Sequence, residues 1–325
     1  MSIGNMYEML SSFKLAKFTA IFEVGDRGLD LPEYKGSTIR GAFGHVFKQV
    51  ACKCTGEDHD SDCIYAYIFD TKPRQDSQIL RNYESVPRPF LFETIYDSRK
   101  YFPPGERISF SFTLIGKGLD YLPYFIYSLQ EMAKIGLGKS NKPLVLRQIF
   151  QVSVQQDLEQ LIYDGKEQRI YNRWQPLSGD EIIKNANINL SNKEIWIHFL
   201  SPTRIKSKGN YLTTAPNFDD LLKSIIRRFS SIIYFHQGLQ LEMDFKDYFA
   251  QAAQVRLLKE DSRWIDWERY SNRQHDKIKL GGLVGKALYK GDIESFLPWL
   301  IVSEWIHVGK NPVFGLGKIK IVNNY

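Results

Sequence analysis

Apolar and polar residues alternate along several short stretches of the chain, and this period of two predicts β-strands. In the first half, strands are expected at Lys14–Val24, Phe90–Ile95, Arg107–Ile115 and Leu144–Val154, followed by a hairpin around Asp164 and Gly165. In the second half, strands are expected at Glu194–Leu200, around Ala253–Leu258 and Ile278–Tyr289, and at Ile319–Val322. Each half of the chain is therefore expected to form a sheet.

Helical spacing of apolar residues marks two longer stretches between these strands. One helix is expected at about Thr38–Ala51, capped by Ser37 or Thr38, and another at about Phe218–His236. The apolar face of the first helix consists of Ile39, Phe43, Val46, Phe47 and Val50. At 100° per residue, His45 projects nearly opposite this face. Gly41 and Gly44 each cost the helix roughly 1 kcal/mol relative to alanine, which indicates a close approach of a ligand or another backbone segment.

A short segment occurs twice along the chain. Tyr121–Ser128 corresponds to Phe296–Ser303, an offset of 296 − 121 = 175 residues, and each copy leads on to Gly-Leu-Gly-Lys. Each copy also predicts a helix with proline in its first turn. With the strands, each half then has the order strand, helix, strand, strand, helix, strand. The prediction is an α+β chain of two tandem ferredoxin-like (RRM-like, βαββαβ) domains, at 1–180 and 181–325, with a cysteine-containing insertion at about 52–88 in the first.

Composition agrees with two ordinary domains and permits a polyanionic partner. The chain has 325 residues, 43% of them hydrophobic, and a formal net charge of +6 from 43 Lys and Arg against 37 Asp and Glu. No stretch approaches the roughly 18 consecutive apolar residues of a spanning helix, and the first residues are too polar for a secretory signal, so a cytoplasmic protein without a membrane partner is expected. Three cysteines are an odd number, which favours reduced thiols over a disulfide framework.

Two glycine-rich loops could contact phosphate groups. Gly136-Leu137-Gly138-Lys139 resembles the end of a P-loop, but Ala133 occupies the first glycine position and the loop runs from helix into strand, so nucleotide hydrolysis is rejected. A loop of this kind can present backbone N–H groups and a lysine to a phosphodiester. For a lone loop of this kind, a tight connection with glycine at the helix C-terminus is the favoured alternative, and the duplication of the loop weakens that preference. The lysines that favour the first reading are Lys139, Lys142, Lys310 and Lys318.

The insertion contains four residues that can bind zinc. They are Cys52, Cys54, His59 and Cys63, within twelve positions of one another. Thiolates and an imidazole suit a structural zinc site, although Cys-x-Cys is a tighter first pair than usual. The alternative is a solvated loop with free thiols.

Among the six histidines, His45 is the strongest candidate for acid–base chemistry. Such chemistry needs a group that titrates near neutrality and that substrate can reach, and an imidazole on the polar face of an anchored helix meets both conditions. A histidine within a strand, such as His198, is more often a packed residue.

Several motifs together resemble the CRISPR-associated repeat-processing endoribonucleases of the RAMP superfamily, the Cas-six family. They are Leu31-Pro32-x-Tyr34-x-Gly36-Ser37-Thr38-x-Arg40-Gly41-Ala42-Phe43-Gly44-His45, the cysteine-containing insertion, Tyr121-Leu122-Pro123, Ser201-Pro202-Thr203-Arg204, Arg269-Tyr270-Ser271-x-Arg273-Gln274 and Gly309-x5-Gly315-Leu316-Gly317. Each motif is weak by itself, but their order along nearly the whole chain is fairly specific.

The resemblance implies two ferredoxin-like domains and metal-independent cleavage inside CRISPR repeats, in which the ribose 2′-hydroxyl attacks the adjacent phosphate. The products would be a 2′,3′-cyclic phosphate and a 5′-hydroxyl. The family's catalytic histidine, on or just after the first helix, maps to His45, with Lys48, Arg40 and Tyr34 as candidates for charge stabilisation and positioning. Repeat RNA would be held by the glycine loops, including Gly315 and Gly317 with their lysines, and by Arg204, Lys206, Lys208 and Arg273.

The chain also departs from the family pattern. A fuller glycine-rich signature would place a further glycine near His307, so His307 is expected to touch RNA instead. Some related RAMP proteins bind RNA without cutting it, so a non-catalytic RNA-binding subunit of a CRISPR effector complex, with other Cas proteins as partners, is the rival hypothesis.

Overall fold

The computed structural model describes residues 3–55, 58–71, 86–94, 98–155, 159–188, 190, 193–271 and 276–322. It begins with helix α1 (Ile3–Ser12). The chain divides into two compact units. We call the unit built from Phe13–Ser178 and Ser231–Leu239 the N-terminal unit, and the unit built from α1, Gly179–Ser230 and the residues from Gln240 onward the C-terminal unit.

The N-terminal unit has helices between and after the strands of one large sheet. Its elements are β1 (Lys14–Val24), β2 (Leu29–Asp30), α2 (Gly36–Ala51), α3 (Ile64–Phe69), β3 (Phe90–Glu93), β4 (Tyr101–Phe102), β5 (Arg107–Ile115), α4 (Leu122–Ile135), β6 (Leu144–Val152), β7 (Glu159–Asp164), β8 (Arg169–Ile170) and β9 (Leu177–Ser178). The main sheet has the order β3-β5-β1-β6-β7-β8, with β9 also paired to β1, and the neighbouring strands are antiparallel.

The C-terminal unit has a four-stranded sheet. Its elements are α5 (Gly179–Lys184), β10 (Glu194–Thr203), β11 (Lys206–Ser207), β12 (Asn210–Tyr211), α6 (Phe218–Gln237), α7 (Phe245–Ala252), β13 (Arg256–Ile265), β14 (Glu268–Ser271), β15 (Asp276–Lys279), β16 (Gly282–Lys290), α8 (Leu297–Ile306) and β17 (Ile319–Val322). The sheet order is β13-β16-β10-β17, and β11 and β12 form a separate hairpin. The last residues of α6, from Ser231, belong to the N-terminal unit.

The two main sheets have the same topology. In each unit the first strand lies between the third and the fourth, and the second strand pairs with the third: β3-β5-β1-β6 in one and β13-β16-β10-β17 in the other. This is the ferredoxin-like arrangement, and the prediction of tandem ferredoxin-like domains is confirmed. The repeated segments form α4 and α8, each with proline in its first turn and each entered through a short 3-10 turn.

The core of the N-terminal unit is unusually rich in phenylalanine, and it fixes the orientation of α2. Phe43 of α2 lies 5.0 Å from Phe125 of α4 and 5.2 Å from Phe92 of β3, measured between ring centroids. Phe47 lies 5.3 Å from Phe125. Rings of this size bury enough apolar surface to dominate core energetics, so the opposite side of α2 must face outward.

Several features of the elements differ from the sequence prediction. The predicted strand Ile278–Tyr289 is divided between β15 and β16, with a break at residues 280–281. Helix α2 begins at Gly36 with Lys35 at its N-cap and no side-chain capping bond, so the predicted cap at Ser37 or Thr38 is wrong. Residues 64–69 form helix α3, inside the insertion where no regular element was expected. In the second half, β13 begins at Arg256 rather than Ala253, because helix α7 precedes it.

None of the helices in the described ranges combines the length and the apolar character needed to cross a lipid bilayer.

Candidate functional site

Helix α2 presents His45 and Lys48 on its exposed side, opposite the buried phenylalanines. Residues three and four apart lie next to each other on a helix surface, so Lys48 and Gln49 both neighbour His45. The Gln49 amide nitrogen lies 3.3 Å from Nε2 of His45. Among the residues that the structure describes, Nδ1 of His45 has no hydrogen-bond partner. The imidazole is therefore held at one nitrogen and accessible at the other.

Arg40 and Lys48 lie on aromatic rings of helix α3. The Arg40 guanidinium carbon is 5.0 Å from the centroid of Phe69, and Lys48 Nζ is 5.5 Å from the centroid of Tyr65. These two rings stack on each other at 5.3 Å. Cation–π contacts of this length hold a cationic side chain in place without neutralising it. The two predicted phosphate-binding cations are thus positioned by α3, which the sequence pattern did not indicate.

Gly44 allows α3 to approach α2 this closely. A Cβ atom added at Gly44 would lie 3.0 Å from Cε1 of Phe69, whereas one added at Gly41 would meet no atom within 4 Å. The predicted reason for glycine in this helix, a close approach, therefore applies to Gly44 and is met by a side chain of the protein itself.

Tyr34 precedes α2 and is half-buried. Nine residues separate the first helical residue, Gly36, from His45, a distance of about 13 Å along the helix axis at 1.5 Å per residue. Lys48 is only about 4.5 Å further along the same axis. His45 and Lys48 can therefore present their side chains to one ligand, whereas Tyr34 belongs to the segment before the first turn of the helix.

The four predicted metal ligands come together in the structure. The ligand atoms of Cys52, Cys54, His59 and Cys63 all lie within 4.8 Å of one another. All three cysteines are free thiols. The group can hold a metal ion, and it lies at the junction of the C-terminal end of α2 and the N-terminal end of α3.

The Cys52 thiol is influenced by the candidate site. Burial acts to raise the pKa of Cys52, but hydrogen bonds with Cys54 and Cys63 and the positive charge of Lys48 outweigh it and hold that pKa below its ordinary value. Lys48 thus acts electrostatically on the cysteine group as well as facing solvent beside His45.

His236, the last-turn histidine of α6, is buried and has a structural role. Its Nε2 lies 2.6 Å from the Pro87 carbonyl oxygen, which can only accept, so Nε2 donates and Nδ1 accepts from the Tyr67 hydroxyl at 3.0 Å. Burial raises the pKa of Tyr67, so its hydroxyl keeps the proton that it donates. This histidine has no access to a substrate.

Hydrogen bonds join the two segments of the C-terminal unit that carry most of the predicted RNA-binding residues, the basic loop that begins at Ser201 and the terminal glycine loop. The Lys310 N–H donates to the Arg204 carbonyl at 3.2 Å, and the Gly317 N–H donates to the Pro202 carbonyl at 3.1 Å. The Lys318 N–H donates to Ser201 Oγ at 2.8 Å. The basic loop and the terminal glycine loop, far apart in sequence, therefore form one surface.

Tyr211 organises the cations of this surface. The Arg204 guanidinium carbon lies 4.3 Å from the Tyr211 ring centroid and Lys206 Nζ lies 4.9 Å from it. Lys206, Lys208 and Lys310 are exposed. Paired cations around an aromatic ring suit an RNA strand, which offers phosphates to the former and a base to the latter. Tyr211 could not be predicted from the sequence, because a single tyrosine carries no periodic signal.

The glycines of the terminal loop are required by its backbone. Gly309, Gly315 and Gly317 have φ angles of 79°, 81° and 77°. A Cβ atom at Gly317 would lie 1.8 Å from the Val308 carbonyl oxygen, and one at Gly309 would lie 2.3 Å from the Arg204 carbonyl oxygen. The loop is thus a tightly closed turn whose outer side carries the lysines.

His307 does not fit the predicted role in RNA contact. Its side chain has 0% exposure, and its Nδ1 lies 2.9 Å from the Leu316 carbonyl oxygen. Its φ is 62°, in the left-handed region usually taken by glycine at the end of a helix. The residue therefore closes the loop from inside, and direct RNA contact by its ring is excluded by burial.

The first glycine loop belongs to the N-terminal unit and is more engaged with its own backbone. Lys142 Nζ donates to the Arg27 carbonyl at 2.8 Å. A Cβ atom at Gly138 would lie 2.4 Å from the Asp30 carbonyl oxygen. Lys139 is exposed. The tight-connection alternative accounts for these glycines and for Lys142, and of the two lysines it leaves only Lys139 facing outward.

Arg273, the remaining predicted RNA ligand, lies outside the described residues.

Two family models match the chain. Residues 13–175 match AF_1859_N, described as an N-terminal domain, and residues 197–319 match the model described as CRISPR-associated endoribonuclease Cas6. A protein of Archaeoglobus fulgidus, described as uncharacterized, is 25% identical over 301 residues, which cover 90% of this chain and 92% of that protein.

Solved structures share the fold. A Cas6 product complex is similar with a TM-score of 0.58 at 14% identity, covering 95% of this chain and 99% of that chain. Thermus thermophilus Cas6 has a TM-score of 0.54 at 12% identity, covering 95% of this chain and 99% of its own. A chain of a partial Cas6-RT-Cas1–Cas2 complex has a TM-score of 0.59 at 14% identity, and the match covers 95% of this chain and 46% of that chain. At these identities the likeness shows the fold alone.

Proposed function

Because the chain belongs to the Cas6 family of CRISPR-associated proteins, with an AF_1859_N domain as its first half, we propose that it cuts precursor CRISPR RNA within the repeats by a metal-independent reaction. The observation that carries the proposal is His45, an exposed imidazole on a helix that the phenylalanine core holds in place, with Lys48 beside it. The compartment is the cytoplasm, and the partners are repeat RNA and other Cas proteins.

The reaction is an internal transesterification. The ribose 2′-hydroxyl loses its proton to a base, and its oxygen forms a bond to the adjacent phosphorus. The bond from phosphorus to the 5′-oxygen breaks, and that oxygen takes a proton from an acid. A 2′,3′-cyclic phosphate and a 5′-hydroxyl remain. No water is consumed, and no metal ion is needed to supply the nucleophile, because the RNA carries it.

His45 supplies the proton transfer. Its Nδ1 faces no other described hydrogen-bonding group. With the Gln49 amide nitrogen donating to Nε2, Nδ1 carries the proton of the neutral ring and can only donate it, toward the leaving 5′-oxygen. If the Gln49 amide turns over, its oxygen accepts from Nε2–H and Nδ1 becomes a base for the 2′-hydroxyl. Positioned acid–base groups of this kind contribute typically about 10²–10⁴-fold to a rate. Gln49 is a positioning residue that the sequence analysis did not include.

Lys48 and Arg40 supply positive charge for the phosphate, which gains negative charge as the new bond forms. Cations fixed before the reaction stabilise that charge without reorganising during it. The stacked rings of Tyr65 and Phe69 provide this fixation. Lys48 shares the helix surface with His45, so it is the nearer of the two to the proposed scissile phosphate.

RNA binding is assigned mainly to the C-terminal unit. Arg204, Lys206, Lys208, Lys310 and Lys318 form the basic surface described above, and Tyr211 offers a ring on which a base can stack. The first loop contributes Lys139. Arg273 remains a proposed RNA ligand on the grounds of the family motif.

One observation favours the rival, a non-catalytic RAMP-type RNA-binding subunit of an effector complex. His236 and His307 are buried, so neither can serve as a second imidazole at the surface, and the group that makes the other proton transfer is not identified among the described residues. The basic surface of the C-terminal unit suits either function.

A cleavage assay separates the two functions. End-labelled repeat RNA from the host's own CRISPR array is incubated with the purified chain in EDTA, and binding is measured in parallel. The endoribonuclease proposal predicts one specific cut with a 2′,3′-cyclic phosphate end. Binding without a cut would support the rival, and a failure to bind the repeat would contradict both.

Replacing Gly317 with valine should weaken RNA binding by roughly tenfold or more, a loss of about 1.4 kcal/mol or greater. The added side chain would meet the Val308 carbonyl oxygen, so the loop that carries Lys310 and Lys318 must move. Gly315→Val should act in the same direction, since the φ of Gly315 is 81°. Fluorescence anisotropy with an uncleavable repeat RNA measures the affinity.

The matched control is Gly105→Val. Gly105, between β4 and β5 of the N-terminal unit, has the same positive φ as Gly317, 77°, but a Cβ atom there would meet nothing within 4 Å. This control should retain affinity within a few fold. If a folded Gly317→Val variant binds the RNA with unaltered affinity, the terminal loop only connects helix and strand and does not contribute to RNA binding.

A further inference from the structure

The cysteine group closes a hairpin of two helices, and we propose that Cys52, Cys54, His59 and Cys63 bind one structural Zn²⁺ that fastens α3 against α2. The zinc site does not depend on the RNA reaction. Its consequence for that reaction is indirect, because α3 holds the side chains of Lys48 and Arg40.

The distances between the ligand atoms match the edges of a zinc tetrahedron. With Zn–S bonds of about 2.3 Å and Zn–N bonds of about 2.0–2.1 Å, tetrahedral geometry gives S···S separations of about 3.8 Å and S···N separations of about 3.5 Å. The structure has 3.8 Å between the Cys63 and Cys52 sulfurs. It has 3.4 Å and 3.7 Å between His59 Nδ1 and the sulfurs of Cys52 and Cys63. Three ligands thus already form one face of the tetrahedron.

Cys54 completes the set with little movement. All four ligand atoms lie within 4.8 Å of one another, so no pair must close by more than about 1.3 Å to reach the tetrahedral edge. The Asp60 N–H lies 3.4 Å from the Cys54 sulfur, in the direction of a donor to a ligating thiolate. Such outer hydrogen bonds orient the ligands of metal sites.

The donor set selects the metal. Three thiolates and one imidazole suit Zn²⁺ and form a closed site of four protein ligands, which is the pattern of structural zinc. Asp58, Asp60 and Asp62 of the same loop are exposed and are not needed as ligands. A disulfide between Cys52 and Cys63 is the competing state. To form it, their sulfurs would have to approach from 3.8 Å to about 2.0 Å.

The ligands lie where the two helices meet. Cys52 is the C-cap of α2, and its N–H donates to the Lys48 carbonyl at 3.0 Å. Cys63 is the N-cap of α3. The helices run in opposite directions, because Lys48 near the end of α2 contacts Tyr65 near the start of α3, and Arg40 contacts Phe69 at its end.

A six-residue helix needs such an anchor. Isolated helices of this length are not stable in water, and most of their stability must come from tertiary contacts. Through its bonds to the sulfurs of Cys52 and Cys63, the zinc ion would link the end of α2 to the start of α3. The stacked pair of Tyr65 and Phe69 would then remain under Lys48 and Arg40.

Metal analysis of the full chain tests the site. The protein is purified under reducing conditions, loaded with Zn²⁺ and passed through a desalting column, and its metals are measured by mass spectrometry. About one zinc per chain is expected, and Co²⁺ in its place should give the visible absorption of a tetrahedral thiolate site. Cys63→Ser and His59→Ala should each lower the zinc content well below one per chain.

Asp62→Asn is the matched control, since Asp62 is an exposed potential ligand adjacent to Cys63 and should leave the zinc content unchanged. Hydrogen exchange gives a readout that does not depend on purifying a folded variant. Zinc removal from the native chain should speed exchange in Ile64–Phe69 and leave α4 unaffected, because α4 lies far from the ligands in sequence and packs in the phenylalanine core.

The opposite results would overturn the inference. In the metal analysis these are substoichiometric zinc in a chain with three free thiols, iron in place of zinc, or loss of zinc in Asp62→Asn. Isolation of the chain with a Cys52–Cys63 disulfide would also overturn it, as would hydrogen exchange in α3 that does not respond to zinc removal. These outcomes are measured without RNA. The zinc content of the EDTA-treated chain is measured alongside the cleavage assay, so loss of the zinc site is distinguishable from a failure of the proposed function.

Discussion

Replacing His45 with alanine is expected to lower the rate of repeat cleavage by about 10²–10⁴-fold while repeat affinity stays within a few fold. The physical reason is that the imidazole is exposed on α2 and contributes only proton transfer, whereas the proposed binding surface lies on the C-terminal unit. The phenylalanine core of α2 is on the other side of the helix, so the fold is expected to be retained. Single-turnover cleavage with enzyme in excess measures the chemical step directly.

His198→Ala is the matched control for this substitution. His198 is a half-buried histidine on β10 of the C-terminal unit and has no place in the proposed reaction. Its loss should leave the single-turnover rate within a few fold. Full activity of His45→Ala would show that another group transfers the proton, and a parallel loss of affinity would show that His45 serves in binding rather than chemistry.

The architecture was predictable because it depends on patterns spread over many residues. Alternation along β1 and β5 and helical spacing along α2 involve long apolar faces, and the structure has β1 at Lys14–Val24 and β5 at Arg107–Ile115 as predicted. The duplicated Leu-Pro helix revealed the repeated topology. Regular burial leaves such a signal in a sequence even without any relative for comparison.

The site was only partly predictable because it depends on single contacts. His45 could be placed on the exposed side of α2 by helical geometry. The contacts of Arg40 and Lys48 with aromatic rings of α3 could not be predicted. Helix α3 has only six residues, and no period can be recognised over so short a stretch. The positive φ of His307 could not be predicted from the sequence either, because the left-handed conformation is usually taken by glycine.

The terminal glycine loop illustrates the same division. Its glycines and lysines were visible in the sequence, but the hydrogen bonds that join it to Ser201, Pro202 and Arg204 connect segments about a hundred residues apart. Long-range backbone pairing of this kind follows from the fold and not from local composition. The loop is therefore a shaped support for cations, and the chemistry is assigned to α2.

In the proposed reaction the RNA supplies its own nucleophile. A repeat RNA with a single 2′-deoxy nucleotide at the cut should remain intact, because no oxygen is present to attack the adjacent phosphate. Its affinity should match that of the all-ribose RNA, since one hydroxyl is a small part of a binding surface dominated by phosphate contacts.

The most direct test compares these two RNAs side by side in EDTA with the same enzyme preparation. We expect specific cleavage of the all-ribose repeat, with a 2′,3′-cyclic phosphate end, and no cleavage of the 2′-deoxy repeat although both bind. Equal cleavage of the two RNAs, or cleavage of the all-ribose repeat by the zinc-loaded chain only when Mg²⁺ or Mn²⁺ is added, would contradict this mechanism.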